Sequence, residues 1–311
     1  MSGRAFGKVI LLGEHAVVHG VPALAAGIDR GAAATARRSV GPSTLVLAGA
    51  GRVVAGDGSE LGRAFAEVLA ACGATEPFDV VAETDLPAGA GLGCSAALGV
   101  AIARAIDAEL GRRPTLAETF ERATVWERVF HGNPSGVDAT VAARGGCIRF
   151  VRGEPVETVR VGRPLVLAIG HTGLPSSTKT MVESVARLRE RRPSVVEKAF
   201  DGVRTLVENA RLSIEAGDLE GLGKLLDLNQ MILAGLFVSS AEIERMCDLA
   251  RGAGALGAKL TGAGGGGCVI ALVAGAPDAV LAAWQREGFA GFATVVAPEP
   301  RHEGADAPGP S

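Results

Sequence analysis

The sequence predicts a protein of two domains that combines strands with helices. The chain has 311 residues, 48% of them hydrophobic, which is enough for two cores rather than one. Residues 6–54 contain short strand-like runs, whereas residues 176–254 show helical periodicity almost throughout. Because the pattern changes near residue 160, we predict a first domain over residues 1–162 and a second over residues 163–298.

Short apolar runs between glycines and prolines predict the strands of the first part of the chain. These runs are FGKVILLG, VPALAAGI, AAATARR, TLVLA and FDVVAETD. Helical periodicity predicts helices over residues 60–72, 98–110 and 115–130, and GNPSGVD after the last helix is a predicted turn. Two further strands, CIRFV and PLVLAIG, lead into the second domain.

Breaks at Pro193, at Gly217 and near Ser239 divide the helical region of the second domain. After it come a strand (AKLTG), a glycine run, a strand (CVIALVA), a helix over residues 277–287 and a last strand (FATVVA). Residues 299–311 are polar, with proline and glycine, and are predicted to be disordered.

Composition argues against several classes of protein. The net charge is −3 with both signs interspersed, so no basic stripe indicates a nucleic-acid partner. No run approaches the roughly 20 apolar residues of a membrane span, and the apolar start is too short for a signal peptide. The five cysteines lie far apart, which favours free thiols in a reducing compartment. We therefore expect a soluble cytoplasmic protein with no nucleic-acid or membrane partner; a homodimer is an open alternative.

The stretch PAGAGLGCSAA (87–97) lies between a predicted strand and a predicted helix. One interpretation is an ordinary turn in a glycine-rich chain. A second is a dinucleotide-binding loop, because Gly91, Gly93 and Ala96 fit G-x-G-x-x-A. That loop should lead through one helix into a strand with an acid ~20 residues on, whereas here one predicted helix follows another.

A third interpretation of the same stretch is a phosphate cradle. Backbone N–H groups at a helix N-terminus favour an anion, and glycine removes the side chains that would block it. Ser95, at the helix start, could place its hydroxyl on a magnesium ion. The chain contains no G-x-x-x-x-G-K-[ST], so this is not a P-loop of the Walker type.

A second glycine-rich stretch, KLTGAGGGGC (259–268), occurs late in the chain. A tight hairpin is one interpretation, but four consecutive glycines exceed what a hairpin needs. They indicate backbone packed closely against a ligand or against the first glycine loop. A strand follows directly, which argues against a dinucleotide site here as well.

Two other segments carry candidate catalytic side chains. In GKVILLGEHAVVHG (7–20), Lys8 lies at the start of a buried-looking strand, although a surface lysine at a strand end is the alternative. Glu14, His15 and His19 in this segment have the order E-H-x-x-x-H and no evident third ligand, which argues against zinc.

In WERVFHGNPSGVDA (126–139), Glu127 lies on a helix and Asp138 after a turn. A solvated helix face and a helix cap are the plainer alternatives. One carboxylate could instead complete a Mg²⁺ shell, with the other near a substrate hydroxyl.

Together these motifs resemble those of the GHMP kinases, a family of ATP-dependent small-molecule kinases. PAGAGLGCSAA resembles the family's ATP loop, P-x-x-x-G-L-G-S-S-A, and KLTGAGGGGC resembles its C-terminal glycine motif. GKVILLGEHAVVHG and HGNPSGVDA most resemble the members that act on mevalonate. The resemblance runs in the same order over nearly the whole chain, from Lys8 to Cys268.

The resemblance implies a two-domain α+β fold of the GHMP kinase type, with the active site in the interdomain cleft. It implies transfer of the γ-phosphate of ATP to the C5 hydroxyl of mevalonate, which gives 5-phosphomevalonate for isoprenoid biosynthesis. The implied co-substrate is ATP and the implied cofactor is Mg²⁺.

The motifs also assign roles by position. The residues that match the family's ATP contacts are Thr84, Gly89, Ala90, Gly91, Leu92, Gly93, Cys94 and Ser95. Ser95 and Glu127 match the magnesium ligands. Asp138 matches the catalytic base, and Lys8 the cation beside it. The positions that match the substrate pocket are Glu14, His15 and Thr178.

Two positions depart from the family pattern. Cys94 stands where the family usually has the first serine of a pair, so a hydroxyl contact is lost. A helix N-terminus lowers a thiol pKa and would make Cys94 reactive, whereas a small buried thiol is the alternative. Phe237 stands where a small residue is expected, which would reshape a loop near the cleft.

The main alternative activity is another kinase of the family, acting on phosphomevalonate, homoserine or a sugar. A phosphorylated substrate should need extra cations, and residues 7–30 offer Lys8 and Arg30 alone. A non-catalytic ATP-binding regulator is the other alternative. The joint presence of Lys8, Ser95, Glu127 and Asp138 argues against it.

Overall fold

The computed structural model describes residues 1–87, 89–131 and 134–297. The predicted disordered tail, residues 299–311, lies outside the described residues, as do residues 132–133 of the predicted turn. Within the described residues the chain forms a seven-stranded sheet, a four-stranded sheet and the helices that cover them.

The seven-stranded sheet is built from the first half of the chain. Its strands are β1 (Ser2–Leu12), β2 (Ala23–Arg38), β3 (Thr44–Leu47), β4 (Gly51–Val54), β5 (Phe78–Thr84), β6 (Cys147–Phe150) and β7 (Glu157–Thr158). The long β2 is the centre of the sheet, because it pairs with β1 along one edge and with β5 and β6 on the other. All three of these pairings are antiparallel, unlike the parallel sheet of a dinucleotide-binding domain.

Four helices of the described chain accompany this sheet. They are α1 (Glu60–Ala71), α2 (Cys94–Glu109), α3 (Leu116–His131) and α4 (Val137–Arg144). Helix α2 is rich in alanine and buried along most of its length against β1 and β2. Its small side chains let its backbone come close to the sheet. The approach leaves no room for a side chain at Gly3 of β1, where a Cβ would lie 2.3 Å from the carbonyl oxygen of Ala101. Helix α2 therefore packs closely on the sheet, and its N-terminal Gly93 lies next to Lys8 of β1.

The four-stranded sheet is built from the second half of the chain in the order β11-β8-β10-β9. Its strands are β8 (Leu165–His171), β9 (Gly257–Thr261), β10 (Cys268–Val273) and β11 (Ala290–Val296). The helices of this half are α5 (Thr178–Arg191), α6 (Pro193–Ala216), α7 (Leu219–Gly235), α8 (Ala241–Gly252) and α9 (Asp278–Arg286). No helix of the described residues is long and apolar enough to cross a membrane.

The predicted helix breaks in the second half are confirmed and have local causes. Pro193 occupies the first position of α6, where its missing N–H is not needed. Gly217 ends α6 with a φ of 72°, a conformation that glycine adopts at little cost. The Ser240 side chain then accepts a hydrogen bond from the Ile243 N–H and starts α8.

The two sheets are joined by side-chain hydrogen bonds between β1 and β9 and between β2 and β11. The Thr261 hydroxyl accepts from the Ile10 N–H at 2.8 Å and donates to the Ile10 carbonyl oxygen at 3.1 Å. The Thr294 hydroxyl donates to Asp29 Oδ1 at 2.6 Å. The end of β1 is thus fixed against the second half of the chain, and the segment that follows β1 faces both halves.

Two of the predicted elements differ from the structure, and the short strands β4 and β7 were not predicted. VPALAAGI and AAATARR, predicted as two strands, form one continuous strand from Ala23 onwards, β2, because β1 pairs with it across the intervening Asp29–Gly31 segment with a register shift. Val137 and Asp138, predicted as part of a turn, begin helix α4. The turn signal of Pro134 to Gly136 is real, but it marks the start of a short helix whose alanines pack on the core.

Candidate active site

A cavity of about 460 Å³ opens at the end of β1 and is lined from both halves of the chain. It gathers half of the residues to which the sequence analysis assigned a role. The predicted residues in its wall are Lys8, Glu14, His15, Gly91, Glu127, Asp138 and Thr178. The other residues of the predicted ATP loop lie beside the cavity. They either precede helix α2 or form the first turn of that helix.

The two glycine loops pack directly against each other, which is one of the two alternatives that the four glycines of the second loop left open. A Cβ at Gly91 would lie 3.2 Å from the carbonyl oxygen of Thr261, and one at Gly267 would lie 3.1 Å from that of Ala90. Side chains at these positions would force the loops apart. The glycines therefore bring two stretches of backbone from opposite halves of the chain together.

The first glycine loop leaves the N-terminus of α2 open. Gly89, Gly91 and Gly93 have φ values of 66°, 79° and 73°, a region that favours glycine. Gly93 is the N-cap residue of α2, and no side chain accepts a hydrogen bond there. The first-turn N–H groups and the positive end of the helix dipole can therefore receive an anion such as phosphate.

Lys8 and Asp138 form an ion pair at the cavity wall. Lys8 Nζ lies 3.1 Å from Asp138 Oδ1, and the Lys8 side chain is almost fully buried. The Lys8 N–H donates to the Leu92 carbonyl oxygen at 2.9 Å, which ties β1 to the glycine loop. Asp138 lies in the first turn of α4, but the N-cap residue there is Gly136. Its carboxylate thus faces a cation and the cavity and does not cap the helix.

Ser95 and Glu127 form a second polar pair on facing helices. The Ser95 hydroxyl donates to Glu127 Oε1 at 2.5 Å, and it accepts from the Trp126 indole N–H at 3.2 Å. Glu127 is 4% exposed, so it does not belong to a solvated helix face. Burial raises the pKa of Glu127 to about 7; the hydrogen bond from Ser95 opposes this shift, and the charge of Asp138 adds to it.

Ser95 and Glu127 offer the kind of ligands that Mg²⁺ prefers. A hydroxyl and a carboxylate are hard oxygen donors, and they lie at and beside an open helix N-terminus that suits phosphate. A divalent cation would also supply a positive charge next to the buried Glu127 carboxylate and so stabilise its ionised form. The residues present therefore fit a magnesium ion.

Glu14 lies in the cavity wall, but its carboxylate is engaged by two residues that the sequence analysis did not assign. Lys259 Nζ donates to Glu14 Oε1, and Asn229 Nδ2 donates to Glu14 Oε2 at 3.2 Å. All three side chains are buried. Lys259 was within reach of sequence reasoning as part of KLTGAGGGGC, whereas nothing in the local sequence marks Asn229 on α7.

His15 and His19 point to different partners. His15 Nε2 lies 2.8 Å from the Ala263 carbonyl oxygen, which requires the proton on Nε2, and burial lowers the pKa of His15. His15 is therefore a neutral donor to the second glycine loop. His19 Nδ1 accepts from Arg189 at 3.1 Å. Among the described residues there is no group of three or more His, Cys, Asp or Glu side chains placed to hold a metal.

Thr84 and Cys94 lie together behind the glycine loop. The Thr84 hydroxyl donates to the Gly31 carbonyl oxygen at 2.9 Å and accepts from the Leu86 N–H at 3.2 Å. The Cys94 thiol is 3.8 Å from that hydroxyl, and burial raises the pKa of Cys94 despite its place at a helix N-terminus. The Cys94 side chain is partly buried, and its raised pKa favours a small packed thiol over a reactive one.

Phe237 lies at a turn that contacts the second glycine loop. Its ring is 73% exposed and its φ is 60°. The next residue, Val238, accepts a hydrogen bond at its carbonyl oxygen from the Gly265 N–H at 2.7 Å. The unexpected aromatic side chain thus extends from a backbone turn that supports the loop.

Comparison with known proteins identifies the family. Residues 60–146 match the GHMP kinases N terminal domain, and residues 197–290 match the GHMP kinases C terminal domain. The chain belongs to the GHMP kinases and is an ATP-dependent small-molecule kinase. The expected mixed fold of helix and sheet is thereby confirmed as the fold of this family.

The relatives that are at least 30% identical over most of the chain include several mevalonate kinases. The chain is 36% identical to a mevalonate kinase of Aeropyrum pernix over 86% of each chain. It is 36% identical to a mevalonate kinase of Methanothermobacter thermautotrophicus, over 92% of this chain and 94% of that one. Its structure superimposes with a TM-score of 0.85 on the crystal structure of L. major mevalonate kinase in complex with R-mevalonate, which is 30% identical and covers 96% of both chains.

Proposed function

We propose that this protein transfers the γ-phosphate of ATP to the C5 hydroxyl of mevalonate. The observation that carries the proposal is one cavity beside the glycine loop, whose wall contains the Lys8–Asp138 pair and Glu127, with Ser95 bonded to Glu127 behind it. A base, a cation and an open anion site in one place are what phosphoryl transfer requires. The substrate is taken from the names of the relatives that are 30–36% identical to this chain.

The chemistry assigns a task to each side chain. Asp138 orients the C5 hydroxyl and accepts its proton as the oxygen attacks the γ-phosphorus, while the bond from that phosphorus to the ADP oxygen breaks. The Lys8 ammonium, 3.1 Å from Asp138, stabilises negative charge on the transferring group. The loop Gly89 to Ser95 and the N-terminus of α2 hold the polyphosphate.

Ser95 and Glu127 would hold Mg²⁺, with water completing its shell. Bound there, the ion neutralises charge on the phosphates during transfer. Glu127 is buried and carries a raised pKa, so a cation beside it stabilises the ionised form that the ligand role needs.

The charges of the cavity support mevalonate over phosphomevalonate. Its wall contains the four acids Glu14, Glu127, Asp138 and Glu183 against the two lysines Lys8 and Lys179. Lys8 is paired with Asp138, so Lys179 is the lysine of this wall that can approach the substrate carboxylate. Glu14 is balanced by Lys259, and among the described lining residues no further lysine or arginine is left to pair with the phosphate of phosphomevalonate.

We further propose that His15, from the first half of the chain, and Thr178, from the second half, contact the substrate in this cavity, and that Glu14 shapes its wall. The two domains are residues 1–162 and 163–298, in line with the two sheets built from residues 2–158 and 165–296.

The described cysteines are all unpaired, which fits residence in a reducing cytoplasm.

The test is ADP release by the purified protein with Mg-ATP and, in parallel, mevalonate, phosphomevalonate, homoserine or galactose. We expect rapid release with mevalonate and background release with the other three. Release with one of the other three would discard the proposed substrate and keep the family assignment. Binding of ATP without release in any of the four mixtures would overturn the catalytic proposal for these substrates.

A further inference from the structure

The Ser95 hydroxyl has its hydrogen-bonding capacity almost filled by two residues that are adjacent on α3. It donates its one proton to Glu127 Oε1 at 2.5 Å and accepts the indole proton of Trp126 at 3.2 Å. A serine hydroxyl offers one proton and two lone pairs. One lone pair is left, and its direction is fixed by the other two partners.

Trp126 is held in place by the packing of α2 against α3. Its side chain is 2% exposed, and a Cβ at Gly99 on α2 would lie 2.8 Å from the indole ring. The Phe130 ring tilts against it with centroids 5.4 Å apart. A buried tryptophan at helical spacing would ordinarily be assigned to the core, but the polar atom of this one is aimed at Ser95 and not at main chain.

We propose that Trp126 is a positioning residue of the metal site, which orients the Ser95 hydroxyl so that its free lone pair faces the cation. This inference rests on the proposed function, because it assumes that Ser95 and Glu127 hold Mg²⁺. An indole N–H can only donate. It therefore occupies a lone pair of Ser95 and keeps the Ser95 proton directed to Glu127, whereas without it the hydroxyl could rotate.

The chain offers a matched control in its other tryptophan. The Trp284 indole N–H donates to the Met246 carbonyl oxygen at 2.8 Å, and its side chain is also fully buried. Trp126→Phe and Trp284→Phe each remove one buried indole donor and keep an aromatic ring. Trp126→Phe leaves the Ser95 hydroxyl without this donor, whereas Trp284→Phe leaves the Met246 carbonyl oxygen, in the second half of the molecule, without one.

The first measurement is the Mg²⁺ concentration that half-saturates phosphoryl transfer at fixed ATP. We expect Trp126→Phe to raise it about fivefold, the effect of one ordinary hydrogen bond, with an unchanged KM for the acceptor substrate. Trp284→Phe should leave it unchanged. Equal shifts in both variants, or no shift in Trp126→Phe, would overturn the proposal.

The second measurement needs no turnover. In Trp284→Phe protein, Trp126 is the remaining tryptophan, and its fluorescence should change on titration with Mg²⁺ and ADP because its hydrogen-bond acceptor becomes a metal ligand. The change should disappear when Ser95→Ala is added to the same protein, while ADP binding followed by calorimetry persists. A fluorescence change that survives Ser95→Ala would overturn the proposal. Because no acceptor substrate is present, failure of the mevalonate assignment would leave this result untouched.

Discussion

Lys259 and Glu14 form a buried ion pair between residues 245 positions apart in the chain. Neither side chain of the pair is exposed to solvent, and Asn229 donates to the second oxygen of the Glu14 carboxylate. Strand β9 and helix α7 of the second half are thereby bonded to the segment that follows β1. The adjacent His15 adds a bond to Ala263, so this wall of the cavity exists only when both halves are assembled.

Replacing one partner of this pair should be far more damaging than replacing a surface ion pair. Lys259→Met leaves the Glu14 carboxylate buried with Asn229 alone, and we expect the free energy of unfolding to fall by about 3–5 kcal/mol. The control is Arg245→Met, which breaks an exposed pair with Glu287 at 3.1 Å and should cost less than about 1 kcal/mol. Urea unfolding of both variants measures the difference.

A second substitution distinguishes loss of charge balance from loss of packing. Adding Glu14→Gln to Lys259→Met removes the stranded charge while it keeps the side-chain shape. We expect the double variant to regain much of the lost stability and a folded cavity. A double variant no more stable than Lys259→Met would mean that the ion pair is not the cause of the loss.

Removal of the proposed base should affect turnover and not nucleotide binding. For Asp138→Ala we expect kcat to fall by about two to four orders of magnitude, because general-base assistance and orientation of the hydroxyl are both lost. The dissociation constant for Mg-ATP should change by less than about threefold, since the glycine loop is intact. Calorimetry with ATP and an ADP-release assay give the two numbers, and a kcat close to that of the unchanged protein would remove Asp138 from the mechanism.

The raised pKa of Glu127 leads us to expect that metal binding depends on pH near neutrality. Its pKa is raised to about 7, so the proton competes with Mg²⁺ below that pH. We expect the half-saturating Mg²⁺ concentration to rise about tenfold from pH 8 to pH 6, and Glu127→Gln to abolish that dependence along with tight metal binding. A flat profile in the unchanged protein would contradict the ligand role.

The same shift has a consequence for stability without metal. The folded state keeps the Glu127 proton up to pH 7, whereas the unfolded chain loses it near the ordinary value of 4.5. Between these two values the folded state binds more protons, so the free energy of unfolding from this group falls as pH rises. Added Mg²⁺ should offset that loss at pH 7 and above, which thermal unfolding with and without the ion would detect.

The parts of the site that could be predicted from the sequence are those carried by contiguous motifs. The glycine loop, Lys8, Ser95 and Asp138 each lie in a short stretch whose residue types already indicate phosphate or acid–base chemistry, and the structure gathers them in one place. The four consecutive glycines predicted a close backbone approach to a ligand or to the first glycine loop, and the structure shows the second of these contacts.

The parts that could not be predicted depend on contacts between distant elements. Asn229 looks like any polar residue of an amphipathic helix until α7 is packed beside Glu14. Helix α4 was hidden by the turn signal before it, because eight residues are too few for periodicity to outweigh proline and glycine. Cys94 shows the same limit: its place at a helix N-terminus suggests activation, but burial decides the direction of its pKa.

Gly93 and Gly111, at the two ends of α2, separate backbone strain from damage to the site. Both have a φ of 73°, so alanine at either position should cost about 1–2 kcal/mol of stability. A Cβ at Gly93 would also lie 2.9 Å from Cγ of Lys8, whereas one at Gly111 would meet nothing within 4 Å. We therefore expect Gly93→Ala to displace the Lys8 ammonium from Asp138 and to lower kcat about tenfold or more, while Gly111→Ala keeps its activity. Parallel unfolding and ADP-release measurements decide the matter, because equal activity in the two variants would show that the Lys8 side chain tolerates a shift without loss of transfer.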